Sequence, residues 1–292
     1  MHKIQTQTHS KNYIIVKRKC GLANQIFIVA ATYCIQKNNK EQINILLAPC
    51  TSRDNIHFAS KYDYYHTLFS HFPNTTELNI HPRLLGTSDF LMKLAKLKGI
   101  KYQFPQSSAY SSWDLSSIQI PCVLEGYFQY YSIIKPHIQD IREFLIKGLT
   151  EIRANCLEKY PNIRSTAFLH VRRGDYVGLS HYHFLQPIDY YERALSLLAI
   201  DIPILVFSND IDYCKGVELF KNRNCIFIDE PDEVIALGLM SLCEKGAICA
   251  NSTFSYWGAM LGAHSNGNTV IVPKDWCKDP PISLFPDDWL IL

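Results

Sequence analysis

Between residues 166 and 272 the chain alternates short apolar runs with longer amphipathic ones, and this rhythm limits the fold more than any other feature. The apolar runs are Thr166–Val171, Ile204–Phe207, Cys225–Ile228, Ala247–Ala250 and Thr269–Val272. They are too short for helices and lack the alternation of a half-exposed strand, which predicts strands buried on both faces. The intervening runs Pro187–Ala199, Asp212–Phe220, Asp232–Cys243 and Thr253–Gly262 read as helices. Pro187 suits a first helical turn. Strands alternating with helices in this way are the signature of βαβ units and a parallel sheet. Right-handed crossovers then bring the strand ends to one common edge.

That edge collects polar residues. HVRRGDY (His170–Tyr176), FSND (Phe207–Asp210), DEPD (Asp229–Asp232) and NSTFS (Asn251–Ser255) each follow a predicted strand. In open α/β sheets ligands sit outside the carboxyl ends of the strands, and packing alone gives no reason for four such motifs there. Arginine is a planar, permanently charged fork that matches phosphate oxygens, and Gly174 allows a sharp turn after the pair. A phosphorylated ligand is the expectation. If the strand continues, Arg172 and Arg173 point to opposite faces, so one of them meets the ligand; a salt bridge to Asp175 or another carboxylate is the alternative. Ser252 or Thr253 caps the helix that follows, or the same helix start receives an anion. His170 lies among apolar neighbours and needs partners if buried; it is either a satisfied core group or the reader of a base edge. Asp175, His181 and His183 form a D-x5-H-x-H cluster that could hold a metal. Further ligands at an accepted spacing are missing, and solvated loop histidines are the other account.

The first half follows the same logic less completely. Tyr13–Val16, Ile43–Leu47 and Val123–Tyr127 read as strands, Cys20–Asn24 as a turn, and Gln25–Lys37 and Ile138–Leu149 as helices. Gly21-Leu22-Ala23-Asn24 resembles half of a dinucleotide-binding turn without the full glycine pattern. Asn24 and Gln25 could bind a sugar hydroxyl or cap the next helix. Residues 51–115 resist assignment. Within them the aromatic, histidine-bearing stretch Tyr62–Phe72 suits either sugar rings or a core. At 292 residues the chain exceeds the size at which one core stops growing, so two lobes are expected, residues 1–155 and 156–292.

Composition excludes some partners. A net charge of +2 is too small for bulk nucleic-acid binding, and Lys17-Arg18-Lys19 reads as a solvated strand end. The ten cysteines are dispersed without a CxxC pair, and the first residues show no signal-peptide core. Reduced, buried thiols are therefore expected. No apolar window is long enough to span a bilayer. These features predict a cytoplasmic protein, with peripheral contact at the inner membrane left open.

With these residues in view, the chain resembles glycosyltransferase family 11, the α-1,2-fucosyltransferases. The family motif HxRRGDY is matched by His170, Arg172, Arg173, Gly174, Asp175 and Tyr176. Its GGLGNQ pattern appears as Cys20–Gln25 with two glycines replaced, GYFQ as Gly126–Gln129, and FSDD as Phe207–Asp210 with Asn209 for an acid. NSTFSWW is Asn251–Trp257 with Tyr256 for a tryptophan, and Val270–Trp276 matches a late VxxP-x-x-W pattern. The resemblance implies a two-lobed α/β fold of the glycosyltransferase-B type with Rossmann-like parallel sheets. It also implies a GDP-fucose donor bound by residues 156–292, a galactose-terminated acceptor on residues 1–155, an α-1,2 bond made with inversion, and no metal or other cofactor. By the same resemblance Arg172 meets the diphosphate and Arg173 braces the loop. Asn251, Ser252 and Thr253 lie beside the phosphates, and His170 and Asp229 are candidates for guanine, whose N1–H and N2–H suit a carboxylate. Asn24, Gln25, Glu125 and Tyr127 are acceptor-side candidates. Asp175, Glu125 and His183 are chemically fit to be the general base, with Asp175 ranked first. The acceptor is a lipid-linked glycan of polysaccharide or O-antigen assembly, or a free oligosaccharide. Two competing readings are a non-catalytic nucleotide- or sugar-binding module and a metal-dependent phosphohydrolase.

Overall fold

The computed structural model describes residues 12–50, 62–79, 90–103, 118–178, 183–278 and 284–292. Two parallel sheets organise them. The first contains β1 (Tyr13–Lys17), β2 (Asn44–Ala48), β3 (Thr75–Glu77), β4 (Lys101–Gln103) and β5 (Cys122–Leu124), in the order β3-β2-β1-β5-β4. The second contains β6 (Ala167–Val171), β7 (Ile204–Ser208), β8 (Cys225–Ile228), β9 (Ala247–Ile248), β10 (Val270–Val272) and β11 (Leu290–Ile291), in the order β11-β10-β9-β6-β7-β8. Every pairing in both sheets is parallel. β6 is wholly buried, as a central strand covered by helices on both faces must be.

The two lobes share one core. Helix α1 (Leu22–Asn38) is buried on nearly every side, the mark of a helix enclosed by other elements. Its Phe27 ring lies 4.9 Å from Tyr256 and 5.0 Å from Trp257. Both belong to helix α4 (Thr253–Leu261) of the second lobe. Helices α2 (Ile188–Ser196) and α3 (Glu233–Met240) also serve the second sheet.

Several boundaries differ from the sequence reading. The expected turn at Cys20–Asn24 ends early: α1 begins at Leu22, because Gly21 O already accepts from the N–H groups of Asn24 and Gln25. Val123–Tyr127 is a strand only to Leu124, and the chain then bends, with Phe128 at φ 51°. Asp212–Phe220 is two short helices, Ile211–Gly216 and Glu218–Lys221, interrupted at the extended residue Val217. The short strands β3, β4 and β11 and the helices Phe90–Lys98 and Thr150–Lys159 have no counterpart in the sequence reading, although Phe90–Lys98 buries Leu91 and Ala95 on one face. No helix among the described residues is long and apolar enough to cross a membrane.

Candidate active site

β6 lies between β9 and β7, so the segments leaving these three strands meet at the centre of one sheet edge. Arg172 leaves β6 and donates from Nη2 to Asp175 Oδ2 at 2.8 Å. Its guanidinium stands 5.4 Å from the Tyr176 ring centre, and its Nε–H meets no acceptor among the described residues. Arg173 turns the other way. Its backbone N–H donates to Asn209 Oδ1 at 2.9 Å and its Nε to Asp210 Oδ2 at 3.1 Å, while its guanidinium lies 4.0 Å over Tyr213. Asn209 also donates to Asp175 Oδ1 at 3.1 Å. A Cβ at Gly174 would overlap the Asn209 amide, so glycine lets the arginine loop close on the loop after β7. The asparagine that replaces an acid here thus joins the two loops through a donor that a carboxylate lacks.

The loop after β9 is equally well tied. Asn251 donates to the carbonyls of Phe184 (2.9 Å) and Trp276 (2.8 Å), and Tyr176 donates to Asn251 O at 3.0 Å. Ser252 caps α4 by accepting from Phe254 N–H at 3.3 Å. Thr253 donates to Asn24 Oδ1 of the other lobe at 3.1 Å. His170 is 4% exposed within β6, beneath Phe254. Burial, with the Arg172 charge adding, lowers its pKa to about 3, so the imidazole is neutral at physiological pH. Asp229 stands exposed past the edge strand β8, two strands from β6. His183 stacks on Tyr176 at 4.1 Å, and His181 lies outside the described residues.

The first lobe presents a second polar edge. Glu125, just past β5, accepts from Lys17 (3.1 Å), Lys19 (3.4 Å) and Tyr102. Burial pushes its pKa up, but the bonds from Tyr102 and Lys17 and the two lysine charges outweigh it and hold the carboxyl below its usual value. Such a group is a weak proton acceptor. Tyr127 is exposed, with the Lys19 amine 4.1 Å over its ring and Cys20 Sγ 3.4 Å from its hydroxyl. Cys20 itself sits at φ 61°, a left-handed conformation that disfavours a side chain. Asn24 Oδ1 receives Gln129 at 2.8 Å as well as Thr253. Gln25 is fully buried and donates to Cys20 O and Cys50 Sγ, supporting the loop from beneath.

The structure thus brings together Arg172, Arg173 and Asp175 with Asn209 and Asp210, and it joins Asn251, Ser252 and Thr253 to Asn24. Asp229 stands apart. Sequence reasoning missed Glu233, in the first turn of α3. Its carboxyl crosses to the other lobe, accepting from Tyr64 OH and the Leu22 N–H. Burial raises its pKa to about 7, partly offset by the Leu22 bond. α1 has no acidic residue in its first turn and no side-chain cap of its own, so a carboxylate from the second lobe meets its positive end. In the sequence Glu233 looks like an ordinary acid at a helix start, and only the tertiary fold distinguishes it.

Glycosyl transferase family 11 matches residues 13–291. The chain belongs to that family. It is a glycosyltransferase, and the motifs laid out along its two sheet edges are those by which it resembles the family. It is 26% identical over 302 residues to the O-antigen biosynthesis glycosyltransferase WbnK of Escherichia coli, covering 93% of this chain and 98% of that one. It is 25% identical over 293 residues to an Escherichia coli alpha-1,2-colitosyltransferase, covering 95% and 98%. Among solved structures the fold is shared with fucosyltransferase NodZ from Bradyrhizobium, at TM-score 0.50 and 10% identity over 87% of this chain and 94% of that one. With these parallel sheets, that likeness shows the glycosyltransferase-B-like architecture.

Proposed function

We propose that this family 11 enzyme transfers L-fucose from GDP-β-L-fucose to the 2-hydroxyl of a terminal galactose, with inversion, forming an α-1,2 linkage. The observation that carries the reading is the adjacency of β6 and β9. It sets Arg172 and the Ser252-capped start of α4 at neighbouring strand ends, and Thr253 links that point to α1 of the other lobe. In an inverting transfer the acceptor hydroxyl attacks the anomeric carbon and gives up its proton to solvent, while the carbon–oxygen bond to GDP breaks and its electron pair leaves with GDP, so negative charge collects on the β-phosphate. Stabilisation is worth most where that charge develops. Arg172 supplies it, aimed by Asp175; Ser252 and Thr253 flank the same phosphates. Arg173 holds the loop against Asp210, Asp229 receives the guanine N1–H and N2–H, and His170, whose buried Nδ1 meets no partner among the described residues, is the second guanine candidate. Because Asp175 is engaged by Arg172 and Asn209, its part is to orient the arginine. Cofactors and metals play no part in this reading, and the acceptor is a glycan of bacterial polysaccharide assembly.

One relative is named a colitosyltransferase, which favours a second reading: colitose moves in place of fucose with the same linkage. Calorimetry with GDP-fucose, GDP-colitose, UDP-galactose and GDP in EDTA, followed by GDP release with a panel of β-galactosides, separates the two. Guanine-nucleotide binding with fucose transfer supports the first. Binding of GDP-colitose alone supports the second, and binding of no nucleotide by folded protein removes both.

A further inference from the structure

The residues of Tyr62–Phe72 divide by face. Tyr64, Leu68, Phe69 and Phe72 enter the core; Tyr65, half-buried against that core with its hydroxyl 3.4 Å from Thr75 O, and exposed His66 line a cavity of about 520 Å³. That cavity lies at the carboxyl ends of β2 and β3, lined also by Pro49, Thr76, Glu77, Leu78 and Asn79. Parallel strands place it on the same sheet edge as Glu125 and Tyr127. Arg18, just past the end of β1, donates from Nε to Ala48 O at 3.0 Å and pairs with Glu77, so the carboxylate among the described lining residues is paired. The short helix that carries Tyr65 and His66 is fastened to the second lobe through Tyr64 and Glu233, which sets this wall beside the junction of the lobes.

We propose that this cavity is a subsite for a neutral sugar residue of the acceptor, beyond the galactose that receives the transferred sugar; the inference rests on the transferase reading above. Among the described residues the lining offers an aromatic ring, a hydroxyl, an amide, an imidazole and the apolar Pro49 and Leu78, and its carboxylate, Glu77, is paired with Arg18. Such a lining stacks on a pyranose face and hydrogen-bonds its hydroxyls, and its described residues include no lysine or arginine to pair with a uronic or sialic acid. The volume falls within the range of small-molecule sites and admits more than one ring.

The test compares methyl β-galactoside with neutral galactose-terminated tri- and tetrasaccharides, using the full chain and His66→Ala, Asn79→Ala and Tyr65→Ala. The first two residues are exposed, so their variants keep the fold; melting temperatures check all three. The expected result is a KM for the longer acceptors raised at least about tenfold, a loss of 1.4 kcal/mol of binding, with kcat, donor hydrolysis and the methyl galactoside KM unchanged. Equal effects on short and long acceptors, or no effect, overturn the proposal. If no galactoside accepts the sugar, saturation-transfer NMR with the same oligosaccharides decides independently. A transfer signal that the wild-type protein gives and the variants abolish supports the subsite although the transferase reading fails. A signal absent from the wild type, or unchanged in the variants, overturns it.

Discussion

The two sheet edges are built differently. Around β6 the Arg172–Asp175 pair spans three residues and Arg173 reaches Asp210 one strand away. Around β1 and β5 the bonds join residues about a hundred positions apart: Lys17 to Glu125, Cys20 to Tyr127, Asn24 to Gln129. The arginine loop of the second lobe is thus braced in part within itself, although bonds such as Tyr176 to Asn251 span 75 positions, while the first lobe's edge is assembled by tertiary folding throughout. An anion site needs a small, fixed charge array, which local motifs supply. A surface for a glycan can be gathered from scattered residues, provided something fastens them.

The sharpest way to break this contrast is at its local end. Arg172→Ala should lower GDP release from GDP-fucose by roughly 10²–10³-fold, with far-UV circular dichroism unchanged. Arg172→Lys should recover only part of it, since lysine lacks the planar fork. Activity near wild type in both would show that the arginine edge is not the donor site.

The next effect is on stability and belongs to the fastening between lobes. Glu233 has a pKa of about 7 in the fold against 4.5 ordinarily. Between those values the folded state binds more protons than the unfolded one, so this group's contribution falls as pH rises from about 4.5 to 7. Its size is about 2–4 kcal/mol. His170 acts oppositely. Neutral in the fold to about pH 3 and ordinarily titrating at 6.5, it makes stability rise with pH up to about 6.5. The wild-type profile should therefore be flattened between pH 4.5 and 6.5. Glu233→Gln should steepen it, leaving stability rising with pH. Urea unfolding at half-unit steps measures both curves, and superimposable slopes would remove Glu233 from this role.

A smaller effect separates the two arginines. Arg173→Ala should reduce turnover about tenfold through loop misplacement. Because the Arg173–Asp210 pair is about one-third exposed, it should cost less than about 1 kcal/mol of stability. A loss as large as that of Arg172→Ala would mean both arginines meet the donor.

These contrasts follow what was legible in the sequence. Strands β6 to β10 were readable because buried parallel strands are short, continuous and apolar, and their polar loops follow at once. β3, β4 and β11 were not, since two- and three-residue edge strands such as Thr75–Glu77 have no period to detect. The arginine loop was visible as a unit. The Glu233–Tyr64 contact, spanning 169 positions, was not, because nothing local distinguishes a carboxyl that will cap a helix of the other lobe.

The smallest predicted effect tests how the loop that opens α1 tolerates its two replaced glycines. Cys20 occupies φ 61°, where a side chain costs about 1–2 kcal/mol that glycine avoids. Cys20→Gly should therefore stabilise the fold by about 0.5–1 kcal/mol, the gain being reduced by the greater chain entropy of glycine. Ala23 lies inside α1, 5% exposed, where alanine is the best helix former and glycine costs about 1 kcal/mol. Ala23→Gly should therefore destabilise. Two substitutions toward the same residue, three positions apart, should shift the melting temperature in opposite directions. If both stabilise, the loop demands flexibility throughout. If both destabilise, the Cys20 thiol contact with Tyr127 outweighs the left-handed backbone, and the cysteine is held there by its side chain.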